Sequence, residues 1–237
     1  MASIDVDFCF YDDPDFRSDA DSDSAILQHW HALLWSKDLP DGRMIEWTEE
    51  LETTCLTHDS PLGTFRVSSD TIASLHERYV PLLWAGLGPK DQETYMRAFY
   101  TIGGFNIFPR HPQSLNQQRG WERAISDRFD LTLECIRRHY LDLVPNPLAA
   151  VLTADREFFR LFGVGQEGFE AYVEFFHFQD LVVGNNIKWF DESAETEWSF
   201  SSAALPGNDH AYRRHLDNVL AFVTARNQRI ARWASLQ

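Results

Sequence analysis

The chain has 237 residues, and its 36 Asp and Glu against 21 Lys and Arg give a formal charge of −15, which excludes the basic face that duplex nucleic acid or an anionic membrane surface would need. Hydrophobic residues make up 44% and aromatics 14%, so a disordered chain is excluded, and no run approaches the roughly 18–20 apolar residues of a membrane span. Three scattered cysteines (Cys9, Cys55 and Cys135), no C-x-x-C pair and no basic-then-apolar start predict a cytoplasmic protein without a disulfide framework or zinc site.

Residues 5–23 carry eight aspartates among Phe8, Phe10, Tyr11 and Phe16. The alternation over 5–10 predicts a strand, broken at Asp12-Asp13-Pro14-Asp15. Asp19-Ala20-Asp21-Ser22-Asp23 is spaced like a calcium loop, but Ser24 and Trp30 stand where that loop needs Gly and Glu. The cluster reads instead as a helix cap, with the helix over 24–36 and its apolar face on Ile26, Trp30, Leu33 and Leu34. Pro40-Asp41-Gly42 is a turn, and short strands are predicted at 44–47, 54–58 and 64–68. Ser69-Asp70 has the chemistry to cap a helix running to about 82, and Gly88-Pro89 opens another to about 101.

A strand at 103–109 follows, then a polar loop and a long helix from 121 or 126 to 141. Further helices are predicted at 147–162 and 169–183, a small hairpin at 187–190 and 198–201, and a last helix at 209–233 with apolar Tyr212, Leu216, Val219, Val223 and Ile230 at helical spacing. With no repeat and no linker, the expected fold is α+β: a single domain over 1–237, mostly helical, with a small, largely antiparallel sheet.

Polar chemistry concentrates in residues 102–140. Gly103-Gly104 lets another backbone or a ligand approach closely, and a structural bend is the simpler reading, because the spacing of a phosphate loop is missing. Asn116 and Gln117 offer amides that read hydrogen-bonding edges, and Arg119 offers a planar fork for carboxylate or phosphate. Asp127, Asp130 and Glu134 line one helical face that Arg137 continues, with Arg128 beside it and Arg138 four residues after Glu134. These carboxylates are the candidate acid–base groups, and Asn116, Gln117, Arg119, Arg128 and Arg137 the candidate ligand-binding ones. An ion-paired structural face is the competing reading. No His-x-x-x-His or Glu-x-x-His spacing completes a metal site, and no motif specifies a cofactor. His58-Asp59-Ser60 has the residue types of a triad without its geometry, and His177 reads as a packing residue at a helix end.

The segments Tyr100-Thr101-Ile102-Gly103-Gly104-Phe105 and Asp127-Arg128-Phe129-Asp130-Leu131-Thr132-Leu133-Glu134-Cys135-Ile136-Arg137-Arg138-His139-Tyr140 resemble the signatures of a widespread family of uncharacterised bacterial proteins of similar length. Blocks at 34–42, 172–176 and 226–230 are also similar to it, and Leu115 replaces that family's usual Ile. The resemblance implies a single domain and brings no activity with it.

Two functions are expected from the residues. One is an intracellular transferase or hydrolase, toxin- or defence-like, acting on a nucleotide or another polar anionic metabolite. The other is a non-catalytic regulatory protein whose acidic surface, Asp12, Asp13 and Asp15 in particular, engages a basic protein partner.

Overall fold

The computed structural model describes residues 4–14, 20–52, 55–60, 63–72, 78–110, 114–191, 200 and 204–237. One turn of helix, α1 (Ala20–Asp23), leads into α2 (Ala25–Trp35), where Ser24 caps by accepting from the Leu27 amide at 3.4 Å. Strands β1 (Glu46–Glu52), β2 (Cys55–Ser60) and β3 (Gly63–Thr71) form an antiparallel meander. Prolines open the next two helices, α3 (Pro81–Gly86) and α4 (Pro89–Phe99). Then β4 (Phe105–Pro109) returns to β3, antiparallel, placing Val67 opposite Pro109 and Thr71 opposite Phe105. The second half is helical: α5 (Leu115–Trp121), α6 (Phe129–Tyr140), α7 (Ala149–Ala154), α8 (Arg156–Arg160), α9 (Gly165–Phe175) and α10 (Asp209–Ala234). A two-residue ladder, β5 (Val182–Val183) with β6 (Asn186–Ile187), is the second sheet, also antiparallel. The fold class is α+β, mostly helical, as the sequence predicts. Among the described residues no helix is long and apolar enough to cross a membrane.

Several boundaries differ from expectation, each for a local reason. Residues 5–10 form no strand: Phe10 enters a 3₁₀ turn (Phe10–Asp12), its amide bonded to Tyr100 O at 2.8 Å and its ring edge-on to Phe105. Ser69 and Asp70 cap no helix, because pairing with the fully buried β4 carries β3 through them to Thr71. The polar loop is helical as α5, capped by Ser114, and Ser126 and Asp127 at φ 46° and 61° delay the start of α6. The helix expected over 147–162 breaks at Asp155 into α7 and α8. α9 stops at Phe175, and His177 at φ 60° turns the chain out of the helix. Ile187 pairs with Val182, and the hairpin arm expected at 198–201 lies outside the described residues except for residue 200.

Nine of the twelve residues of α6 are buried, so this helix runs through the core. α10 closes the fold over the turn Ile102–Gly104 and the β4 entry. A Cβ on Gly103 would lie 2.5 Å from Asn227 Oδ1 and 2.6 Å from Val223 O, and one on Gly104 would lie 1.8 Å from Phe99 O. Only a glycine at 103 lets the turn meet the α10 backbone, and only a glycine at 104 lets it fold back onto the end of α4. Across that contact Gly103 donates its amide to Asn227 Oδ1 at 2.5 Å, and Asn227 Nδ2 donates to Thr101 Oγ1 at 2.9 Å. Beside it the buried Arg226 donates to Gly103 O (2.9 Å), Phe105 O (2.5 Å) and Phe176 O (3.1 Å), its guanidinium over the Phe178 ring.

Asp155 is 3% exposed, and neither carboxylate oxygen has a hydrogen-bond partner among the described residues. Burial pushes its pKa from 3.8 to about 7. Between those values the unfolded chain releases the proton while the folded chain keeps it, so stability falls as pH rises, by about 1.4 kcal/mol per unit, and levels off above 7. Asp155→Asn abolishes this titration, and thermal melts at pH 5 and pH 7 are expected to show its advantage over the wild type growing with pH. An advantage that stays constant would contradict the assignment. Gly103→Ala is expected to cost about 3 kcal/mol in urea unfolding, because Val223 O is backbone and cannot yield cheaply. A loss below about 1 kcal/mol would show that the two backbones can part.

Candidate functional site

The eight residues singled out by sequence do not converge. Arg119 is fully buried and spends its guanidinium inward: Nε on Thr132 Oγ1 (3.2 Å), Nη1 on Thr71 O (3.1 Å) and Asp70 Oδ2 (3.2 Å), Nη2 on Asp127 O (2.5 Å). Arg128 and Asp130, 1% and 0% exposed, form a bidentate pair in which Nε meets Oδ1 at 3.0 Å. Asp130 also accepts from the Phe190 amide at 2.9 Å. Arg128 reaches on to Ala204 O at 2.6 Å and to Asp191, whose other oxygen meets His215 Nδ1 at 2.7 Å. Burial works against the Asp191 charge, yet His215 and Arg128 together hold its pKa below the usual carboxylate value. Glu134 accepts from Arg137 Nε at 2.7 Å and Arg138 Nε at 2.6 Å, the i+3 and i+4 spacing read from sequence.

Asp127 is half-buried, with the Tyr79 hydroxyl 3.2 Å from Oδ2. Arg119, Arg128, Asp130 and Glu134 are therefore corrected from ligand-facing groups to internal ones. The physical reason is that α6 is enclosed on nearly all sides, that Arg119 of α5 and Arg128 just ahead of α6 are buried with it, and that each enclosed charge has an opposite charge or a carbonyl to meet.

Asn116 and Gln117 face elsewhere. Together with Ser69, Asp70, Arg110 and Ser114 they border a concavity of about 310 Å³ where α5 passes the edge of β3. Gln117 is exposed; Asn116 donates to Ser68 Oγ at 3.1 Å while its buried Oδ1 has no hydrogen-bond partner among the described residues. Asp21 closes the inner wall: Ser69 donates to it through its amide (2.8 Å) and hydroxyl (2.6 Å), and His31 Nε2 lies 3.2 Å away. Burial opposes the Asp21 charge, but the contacts with His31 and Ser69 outweigh it and hold the carboxyl below its ordinary pKa.

Asp70 behaves differently. Its side chain is 36% exposed, Oδ1 accepts from the Thr71 amide at 2.8 Å and Oδ2 meets Arg119 at 3.2 Å. Burial, with smaller contributions from Asp127 and Asp21, raises its pKa to about 6 against the opposing Arg119 charge and Thr71 amide. One wall thus holds a carboxyl kept below its ordinary pKa and, beside it, one raised toward neutrality.

Sequence reasoning missed Asp21 and Asp70 as site residues, since both read as cap chemistry. The signal for Asp70 lies in the pairing of β3 with β4, which a local pattern does not carry. Among the described residues no three His, Cys, Asp or Glu side chains gather as metal ligands.

No curated protein and no solved structure matches the chain. A family model does match, over residues 4–230 of the 237, nearly the whole of the sequence and both walls of this concavity. The chain belongs to DUF6994, a family of unknown function.

Proposed function

We propose that the protein is an intracellular enzyme, a transferase or hydrolase, that acts on a nucleotide or another small polar anionic metabolite bound between β3 and α5. The observation that carries this reading is Asp70, a partly exposed carboxyl with a pKa near 6 at the edge of a polar concavity. Below that pH it is an acid and above it a base, so a small change in its surroundings on binding moves it between the two roles. Asn116 and Gln117 supply the amides that orient a polar ligand, and Arg110, at the same rim, supplies positive charge for an anionic group.

Arg119 keeps a part in this account as a positioning residue. It holds Asp70 from inside and touches no ligand. Arg128 pairs with Asp130 and Arg137 with Glu134, and Asp127 meets the Tyr79 hydroxyl, so these five serve the structure.

The test is a thermal-shift titration with nucleoside mono- and diphosphates and sugar phosphates. A ligand at about 100 times its dissociation constant adds about 2.7 kcal/mol, a shift of several degrees for a chain of this size. Asn116→Ala and Asp70→Asn should keep a native melting temperature and lose that shift, Asn116→Ala by at least about tenfold in affinity. If none of these probes raises the melting temperature, or if the shift survives in both variants, the reading is wrong.

A further inference from the structure

A second concavity, of about 630 Å³, lies between the end of α2, the end of α9 and the last turns of α10. Lys37 lies at its wall. Its Nζ donates to Phe175 O at 2.5 Å and lies 2.7 Å from His177 Nε2, 4.4 Å from the Trp233 ring centroid and 5.1 Å from that of Phe175. The acceptors are in place because α9 ends at Phe175 and His177 turns back at φ 60°. Among the described residues no carboxylate lies within ion-pair distance of Nζ. Arg229, which could compete for an anion, is paired with Asp180 at 2.9 Å.

We propose that Lys37 is an imine-forming lysine and that this concavity takes a small aldehyde or ketone. Two of the three positions around Nζ are spent on Phe175 O and His177 Nε2. The third carries a proton in the ammonium and a lone pair in the amine, and it is the one left for a carbonyl carbon. Burial and, after it, the Arg226 charge lower the Lys37 pKa against the opposing Glu174, to about 7, so a large share of the amine is free at neutral pH. His177 is held neutral by burial and by Lys37, Arg226 and Arg229, so it accepts from Nζ without adding a charge.

The chemistry balances without a further reactant. The Nζ lone pair forms the N–C bond while the carbonyl π pair moves to oxygen, and one Nζ proton passes to that oxygen. The C–O bond of the carbinolamine then breaks, the second Nζ proton leaves with the oxygen as water, and the nitrogen lone pair completes the imine. Trp233 and Phe175 offer apolar faces for the carbon skeleton, and Gln179 and Arg229 at the rim suit a polar tail.

The chain has three lysines, and Lys90 and Lys188 are exposed, so the folded protein contains its own controls. The experiment treats it at neutral pH with glyoxylate or propanal and sodium cyanoborohydride, and quantifies the secondary-amine adduct at each lysine by peptide mapping. Lys37 is expected to carry at least about tenfold more adduct than Lys90 or Lys188. Lys37→Arg, which keeps the charge, and Lys37→Met are expected to reduce total labelling to the level of the two exposed lysines. Adduct at Lys37 at or below that of Lys90 and Lys188 in the wild type overturns the proposal, and that comparison needs no variant to fold.

Discussion

Arg226 is a fully buried cation that meets three backbone carbonyls and, among the described residues, no carboxylate. Those carbonyls belong to the turn before β4 (Gly103), to β4 itself (Phe105) and to the chain leaving α9 (Phe176). One side chain of α10 thereby ties the sheet to the helical half. Asn227, the next residue, satisfies the Gly103 amide and Thr101 on the same approach. The cost is real: burial lowers the Arg226 pKa to about 9. What offsets it is that each carbonyl would otherwise be a buried acceptor without a donor, at about 1–3 kcal/mol apiece. A side chain at Gly103 would part the same surfaces from the other side.

From that clamp the two concavities follow. β4, fixed by Arg226, pairs with β3 and carries it through Ser69 and Asp70, which sets the acid pair beside α5. The chain after α9, fixed at Phe176, turns at His177 and presents its ring to Lys37. The charges divide by the same logic. Those on α6 are enclosed and mutually neutralised, Asp130 with Arg128 and Glu134 with Arg137 and Arg138, and they specify how the core assembles. Those left only partly compensated, Asp70 and Lys37, stand at cavity walls and have pKa values moved toward neutrality.

Much of the fold was legible from local chemistry. Ser24, Pro89 and the period of α10 mark their helices because caps and amphipathic stripes are short-range. The glycine pair read first as a bend and second as a close approach by a backbone or a ligand; the element that approaches Gly103 lies more than a hundred residues downstream, beyond the reach of a local pattern. The charge pattern on α6 gave the right partners for Glu134. It did not show that the helix is enclosed on nearly every face, and enclosure decides whether such charges serve a ligand or the core. Asp70 was hidden because Ser69-Asp70 is good cap chemistry, and only pairing with residues 105–109 makes it a strand. Lys37 and His177 were unreadable as a pair, being 140 residues apart in sequence. Of the acidic start of the chain, Asp21 is drawn inward to Ser69, while Asp12 pairs with Arg97 at the surface, a division which the excess of charge alone did not reveal.

The most direct measurement is equilibrium urea unfolding of Arg226→Met against the wild type. Methionine fills much of the same volume and removes the buried charge, so two effects compete openly. If the carbonyl clamp holds the halves together, the variant loses about 3 kcal/mol or more, because three acceptors are left unpaired. A methionine variant as stable as the wild type, or more stable, would mean that the cost of burying the cation outweighs its bonds, and would contradict the account.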